Sequence, residues 1–182
     1  MPPPPRPGKK TKAPTTATPE QVRDRQKGAL LGLAVGEAMG VRTEGKNLPS
    51  AEFPNLNDGP WTEPRGGGRL ELRAGQVSWC AELAQVLSTT LRNLRRYDVL
   101  ETAKTYARWL PHALEVPDAV KAALEQVLEG RPPEFTGRRV WLEGFQKVKD
   151  NAPLGRTAPI GVFFHARREE RQLATFEDTA IT

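Results

Sequence analysis

Four glycines, Gly28, Gly32, Gly36 and Gly40, recur at four-residue intervals in the apolar stretch KGALLGLAVGEAMGVRTEG, residues 27–45. Inside a helix each costs about 1 kcal/mol relative to alanine, so a row of them along one face has to be offset. What the missing side chains permit is close approach of another backbone or of a ligand. The row therefore predicts a helix set tightly among others.

The start of that helix is legible. Thr18 stands at an N-cap, Pro19 at the first helical position, and Gln21 three residues after the cap, where it can reach back. From Val41 to Gln76 the periodicity dissolves into Pro, Gly, Asn and Asp, including PNLNDGP and RGGGR, which reads as one long loop. Ser78 then caps a second helix with Leu83, Val86, Leu87, Leu91 and Leu94 at helical spacing. Asp98 caps a third that Pro111 stops. A fourth is expected from Pro117 to Gly130 and a fifth from Gly137 to Lys149. NAPLGRTAPIGVFFHARR, from Asn151, reads as a Pro/Gly-rich loop leading into a short apolar helix. No period-two stretch competes, so the class is all-α.

At 182 residues and 37% hydrophobic the chain can build one domain with a real core. Its formal charge of +5 comes mostly from Arg6, Lys9, Lys10 and Lys12. These lie in MPPPPRPGKKTKAPTTATP, which has no acid and little to bury. Residues 1–17 are thus expected to be a disordered arm and 18–182 the folded domain. A basic arm is poor evidence for a nucleic-acid surface. No secretory signal or membrane span is legible, and the expected location is cytoplasmic. The single Cys80 excludes an internal disulfide framework.

In order and motif the chain resembles the ADP-ribosylglycohydrolases, all-α metal-dependent hydrolases that include the dinitrogenase-reductase-activating glycohydrolase. The family's GALLGLAxGDAxG, followed by a Glu, is similar to GALLGLAVGEAMGVRTE here, with Glu37 in place of the Asp and Glu44 at the acidic position. The family's GQxTDDTE corresponds to GQVSWCAE, Gly75 to Glu82, and a Tyr/Trp pair to Tyr106 and Trp109. The later NGxLMRxAPxG is echoed by NAPLGRTAPIG from Asn151 to Gly161, with Ala152 for the glycine and Gly155 for the methionine.

The resemblance implies part of an orthogonal helical bundle of the ADP-ribosylglycohydrolase type, acting with Mg²⁺ on the glycosidic bond of ADP-ribosylated protein. It implies that the end of the glycine helix lines an ADP-ribose cleft, with Glu44 as the catalytic carboxylate and Asn151 and Arg156 contacting substrate. Read without it, Glu44 is a solvated residue after a helix, and Asn151 and Arg156 are ordinary loop chemistry.

The implied metal site is where the chain departs most from the family. The TDD triplet supplies half of a two-metal site, and here it reads Ser78, Trp79, Cys80. Serine keeps a hydroxyl, but an indole has no lone pair for a hard cation and a thiol is too soft. The family's second, Asp-rich half-site lies in a region beyond the segment that matches this chain. The expectations are therefore that Mg²⁺, though the family's cofactor, is not bound here, and that the chain alone is inactive. The alternative is a non-catalytic relative binding ADP-ribosyl groups or a protein partner, including a complementing C-terminal half. Half a bundle would leave apolar faces uncovered, expected here on the helices beginning at Ser78 and Pro117.

Overall fold

The computed structural model describes residues 17–45, 47, 64–144 and 152–182. Among them are eight α-helices and no β-strand, the one strand-like feature being an isolated bridge between Gly67 and Leu72. They are α1 (Pro19–Gly40), α2 (Trp79–Leu94), α3 (Val99–Trp109), α4 (Asp118–Leu128), α5 (Pro133–Glu143), α6 (Ala152–Gly155), α7 (Ala158–Phe163) and α8 (Arg168–Ala180). A 3₁₀ turn, Leu110–His112, ends α3 at Pro111. The all-α expectation holds. The proposed arm, apart from Ala17, lies outside the described residues.

The local signals act as the chemistry requires. Thr18 and Gln21 form a reciprocal capping box on α1, at 3.0 and 3.2 Å. The Asp98 carboxylate accepts the Glu101 amide at 3.1 Å to start α3, which holds Asp98 below the usual carboxylate range, with Arg96 beside it. Gly130 takes φ 81° just past α4. Helix α5 starts at Pro133 rather than Gly137, because Pro132 and Pro133 supply a pre-set helix entry that outweighs the later periodicity. The tail holds more helix than its Pro/Gly content suggested. The short helix α6 takes up part of the expected loop, α7 is the expected short apolar helix, and the amphipathic α8 follows, burying Ala174 and Asp178.

The core lies between α2, α3, α4, α7 and α8. Leu83, Leu87, Leu91, Tyr106, Leu124, Ile160 and Ile181 are all buried there. Helix α2 packs between α3 and α7, α4 between α3 and α5, and α8 against α5. Helix α1 sits at the margin and touches mainly α7 and α2. Its inner side is fixed by polar contacts: the Gln26 amide nitrogen donates to the Val162 carbonyl at 3.2 Å, and Ala38 is buried.

Two expectations about packing are corrected here. The glycine row does not sit tightly in this structure, for a Cβ built on Gly28, Gly32, Gly36 or Gly40 meets nothing within 4 Å. The row faces outward. The exposed apolar side chains also lie elsewhere than expected. Helix α2 is covered on both sides by α3 and α7, and α4 exposes only Leu128 among its large apolar residues. The principal ones lie on α1 (Leu31, Val35), α5 (Phe135, Trp141, Leu142) and α8 (Leu173, Phe176).

Candidate functional site

The motif residues converge where the C-terminal end of α1, the glycine-rich loop and the N-terminus of α2 meet the α6–α7 segment. At the loop, Gly68 takes φ 74°, and a Cβ built on it would fall on the Val41 carbonyl at the end of α1. Any side chain would collide with that backbone, so only glycine lets the loop close over the helix end. Leu72 is buried beneath this turn, and Arg69 is tied at 2.5 Å to Glu115. Glu44 follows α1 in the adjoining turn, exposed, its amide donating to the Gly40 carbonyl at 3.1 Å.

Glu37 organises the start of α2. One carboxylate oxygen accepts the Ser78 hydroxyl at 2.5 Å and the other the Ala81 amide at 2.6 Å. A carboxylate at a helix N-terminus meets both the unpaired amides and the positive end of the dipole, so Glu37 caps α2 from another helix. Ser78 occupies the N-cap position but makes no cap bond of its own. The sequence offered one signal for this role, an acid ending an apolar helix, which needs a partner if it is not to face water.

The other two residues of the triplet are turned inward. Trp79 packs against the core. The Cys80 sulfur sits where a Cβ on Gly155 would have to be, so the thiol and the glycine fill one space between them. Burial, with Glu37 nearby, pushes the thiol up to about 11, against a smaller opposite effect of Arg156, so it stays protonated at neutral pH. One turn on, Glu82 accepts the Trp109 indole N–H at 3.0 Å.

Arg156 lies behind this layer, fully buried. Its Nε donates to Asp178 Oδ2 at 2.9 Å, one terminal nitrogen to the Asp178 carbonyl at 2.7 Å and the other to the Thr182 hydroxyl at 2.6 Å. The guanidinium lies 4.9 Å from the Tyr106 ring centre, and the Tyr106 hydroxyl donates to Asp178 Oδ1 at 2.8 Å. Burial and Asp178 raise the Tyr106 phenol well above its ordinary value. The expectation of an Arg156 fork exposed to a diphosphate thus meets a side chain sealed in the core and engaged by α8. Asp178, its partner, went unread in the sequence because only the fold brings it to Tyr106, 72 residues away. Asn151 lies outside the described residues.

Ser78 and Glu37 offer oxygen, but Trp79 and Cys80 do not fit a Mg²⁺ ion, which takes oxygen ligands in octahedral array. Among the described residues no group of three or more His, Cys, Asp or Glu side chains is placed to hold a metal.

A marginal glycine helix, a glycine loop closed on its end and a carboxylate-capped second helix define an all-α scaffold. The ADP-ribosylglycohydrolase family model matches residues 18–182, and the chain belongs to that family. It is 32% identical over 153 residues to an ADP-ribosylarginine hydrolase Tri1 of Pseudomonas putida (strain GB-1), covering 81% of this chain and 38% of that protein. It is 34% identical over 93 residues to the ADP-ribosyl-[dinitrogen reductase] glycohydrolase of Rhodospirillum rubrum, covering 51% and 31%. A solved chain of an ADP-ribosylglycohydrolase-related protein complex superposes with a TM-score of 0.65 at 28% identity, covering 90% of this chain and 51% of that one. The chain thus spans about two fifths of the length of the Pseudomonas relative. No helix among the described residues is long and apolar enough to cross a membrane.

Proposed function

We propose that this chain is a cytoplasmic ADP-ribosyl-recognising scaffold that does not itself cut the glycosidic bond. The observation that carries the reading is the state of the Ser78-Trp79-Cys80 triplet. The serine hydroxyl is donated to Glu37, the half-buried indole packs against the core, and the thiol is held protonated against Gly155. Hydrolysis by a metal-dependent glycohydrolase needs hard ligands to hold the ion and a water beside it, and these three side chains do not supply them. Binding needs less. Glu44 is exposed beside the closed glycine loop and is the residue we assign to substrate contact; Arg156 acts from behind, as a positioning residue that fixes the α6–α7 segment.

The relatives are named as hydrolases of ADP-ribosylarginine and of an ADP-ribosylated reductase, so the ligand class assigned to this chain is ADP-ribose carried on protein. The relatives' greater length favours a second element, a complementing half that supplies the remaining part of the domain. The test is release of ADP-ribose from arginine-ADP-ribosylated protein, with and without Mg²⁺, alongside titration with free ADP-ribose. The expected result is no release and weak, metal-independent binding that falls in Glu44→Gln. Turnover by the chain alone would overturn the reading.

A further inference from the structure

Helix α2 runs out into RNLRR, residues 92–96, and its cations divide by what holds them. Arg96 is tied to Asp98 at 3.0 Å. Arg92 and Arg95 are exposed, and among the described residues neither guanidinium has an ion-pair or hydrogen-bond partner. One cation suits a helix C-terminus, but two a turn apart repel each other unless an anion comes between them. Arg95 also takes φ 58° as the C-cap of α2, a left-handed conformation that glycine would adopt without steric cost. What arginine adds there is a charge. That charge stands on the rim of a groove of about 210 Å³ between α1, α2 and α7. Leu30, Leu91, Val162 and Phe163 form its bed, all buried or half-buried, and Arg92 and Arg95 its rim. Val162 also borders a second hollow, which exposed Arg25 and His165 line. Every element of the groove belongs to this chain, and its rim is of a residue type that expects water or an anion, not a missing core.

We propose that this groove docks an acidic segment of a protein partner, with one apolar side chain seated on Leu30, Val162 and Phe163 and carboxylates paired to Arg92 and Arg95. Charge complementarity selects the sign of the occupant, because an unpaired guanidinium fork matches a carboxylate in bidentate fashion. The bed selects its class. A nucleic-acid strand asks for exposed rings on which to stack its bases, whereas this bed is mainly aliphatic. Its one ring, Phe163, is half-buried and has the Arg167 guanidinium 5.4 Å from its centre. A small apolar bed between two arginines is instead the shape of an anchor pocket with a charged rim. Upstream of α1 the sequence adds Arg6, Lys9, Lys10 and Lys12 with no acid, which favours the approach of the same kind of partner. The groove lies at the opposite end of α2 from Ser78, and a helix of 16 residues is about 24 Å long. Docking there is separate from the Glu44 region and assumes nothing about ADP-ribose.

The test is fluorescence anisotropy of the chain with a short labelled peptide of aspartates and glutamates around a single leucine. Beside it run the same peptide with serine for the leucine, and a single-stranded oligothymidylate. The leucine peptide is expected to bind at least about tenfold more tightly than either. Arg92→Glu with Arg95→Glu should weaken it by about tenfold or more. Arg131→Glu with Arg138→Glu, two exposed cations near and on α5, makes the same change in net charge and should leave the affinity within about twofold. Should the first pair lower the melting temperature, Arg92→Gln with Arg95→Gln takes its place and is expected to weaken the peptide in the same direction. No binding of the leucine peptide would overturn the proposal, as would equal binding of the serine peptide or equal loss in the α5 pair. Tighter binding of the oligothymidylate, lost in the Arg92 and Arg95 variant, would overturn it by assigning the groove to nucleic acid. Titration with free ADP-ribose should be the same in wild type and in that variant. Peptide binding without ADP-ribose binding would refute the proposed function alone, and ADP-ribose binding without peptide binding the docking groove alone.

Discussion

The layer around Arg156 and the outer face of α1 both match the family's motifs, yet the chain completes only one of them. Around Arg156 each guanidinium nitrogen is bonded: Asp178 takes Nε and one terminal nitrogen as well as the Tyr106 hydroxyl, Thr182 takes the other terminal nitrogen, and Ile181 is buried. On the outer face of α1 a Cβ built on any of the four glycines meets nothing within 4 Å. Family resemblance in sequence therefore marks positions that need partners, and it is the fold of this chain that decides which partners are present. The Ser78-Trp79-Cys80 triplet lies where the two regions meet, since Glu37 reaches from α1 to Ser78 while Cys80 leans on Gly155 beside Arg156.

The comparison breaks most readily at the sealed layer. Asp178→Ala leaves a fully buried guanidinium without its counter-charge, and removing one partner of such a pair costs about 3–5 kcal/mol. Denaturant unfolding should register that loss. A substitution on α1 of the same chemical severity, such as Leu31→Ala, should cost a small fraction of it.

The glycines sharpen the contrast by sign. At Gly137 a Cβ would meet the Thr182 carbonyl carbon at 2.7 Å and the Ala180 oxygen at 2.8 Å, both backbone, so Gly137→Ala should destabilise by about 1–3 kcal/mol. Gly32→Ala meets nothing and replaces a poor helix former, so it should stabilise the chain alone by up to about 1 kcal/mol. Thermal melts of the two variants would read both. Equal signs would erase the distinction between the regions.

The smallest effect is a pH slope at the junction. Between the thiol's ordinary 9.0 and about 11 the unfolded chain has lost a proton that folded Cys80 retains. The unfolded state then binds fewer protons, and stability falls as pH rises through that window. The tyrosines titrate in wild type and variant alike, so Cys80→Ala should show a shallower decline in melting temperature from pH 9 to 11. Identical slopes would remove Cys80 from the buried layer.

Helix identity was legible where short-range chemistry decides it. The Thr18 capping box, the Asp98 cap and the Gly130 stop depend on residues three or four apart, and each acts as read. Contacts across the chain were not legible. Nothing within a few residues of Glu37 says that it caps a helix 41 residues away, and nothing near Arg156 says that Asp178 will seal it. The glycine row was read as a demand for close packing, and in this structure it faces outward instead. At the site, the absence of a carboxylate from Ser78-Trp79-Cys80 was visible at once from residue type. Its consequence, a serine bound to Glu37 and a cysteine nested on a glycine, needed the fold.

Calorimetric titration of the chain with Mg²⁺ tests the central claim most directly, that the scaffold is kept while the family's metal position is filled by other side chains. The account predicts no saturable site in the wild-type chain, because Trp79 and Cys80 give the ion no oxygen and the Ser78 hydroxyl is committed to Glu37. A saturable Mg²⁺ site that disappears in Ser78→Ala would contradict it.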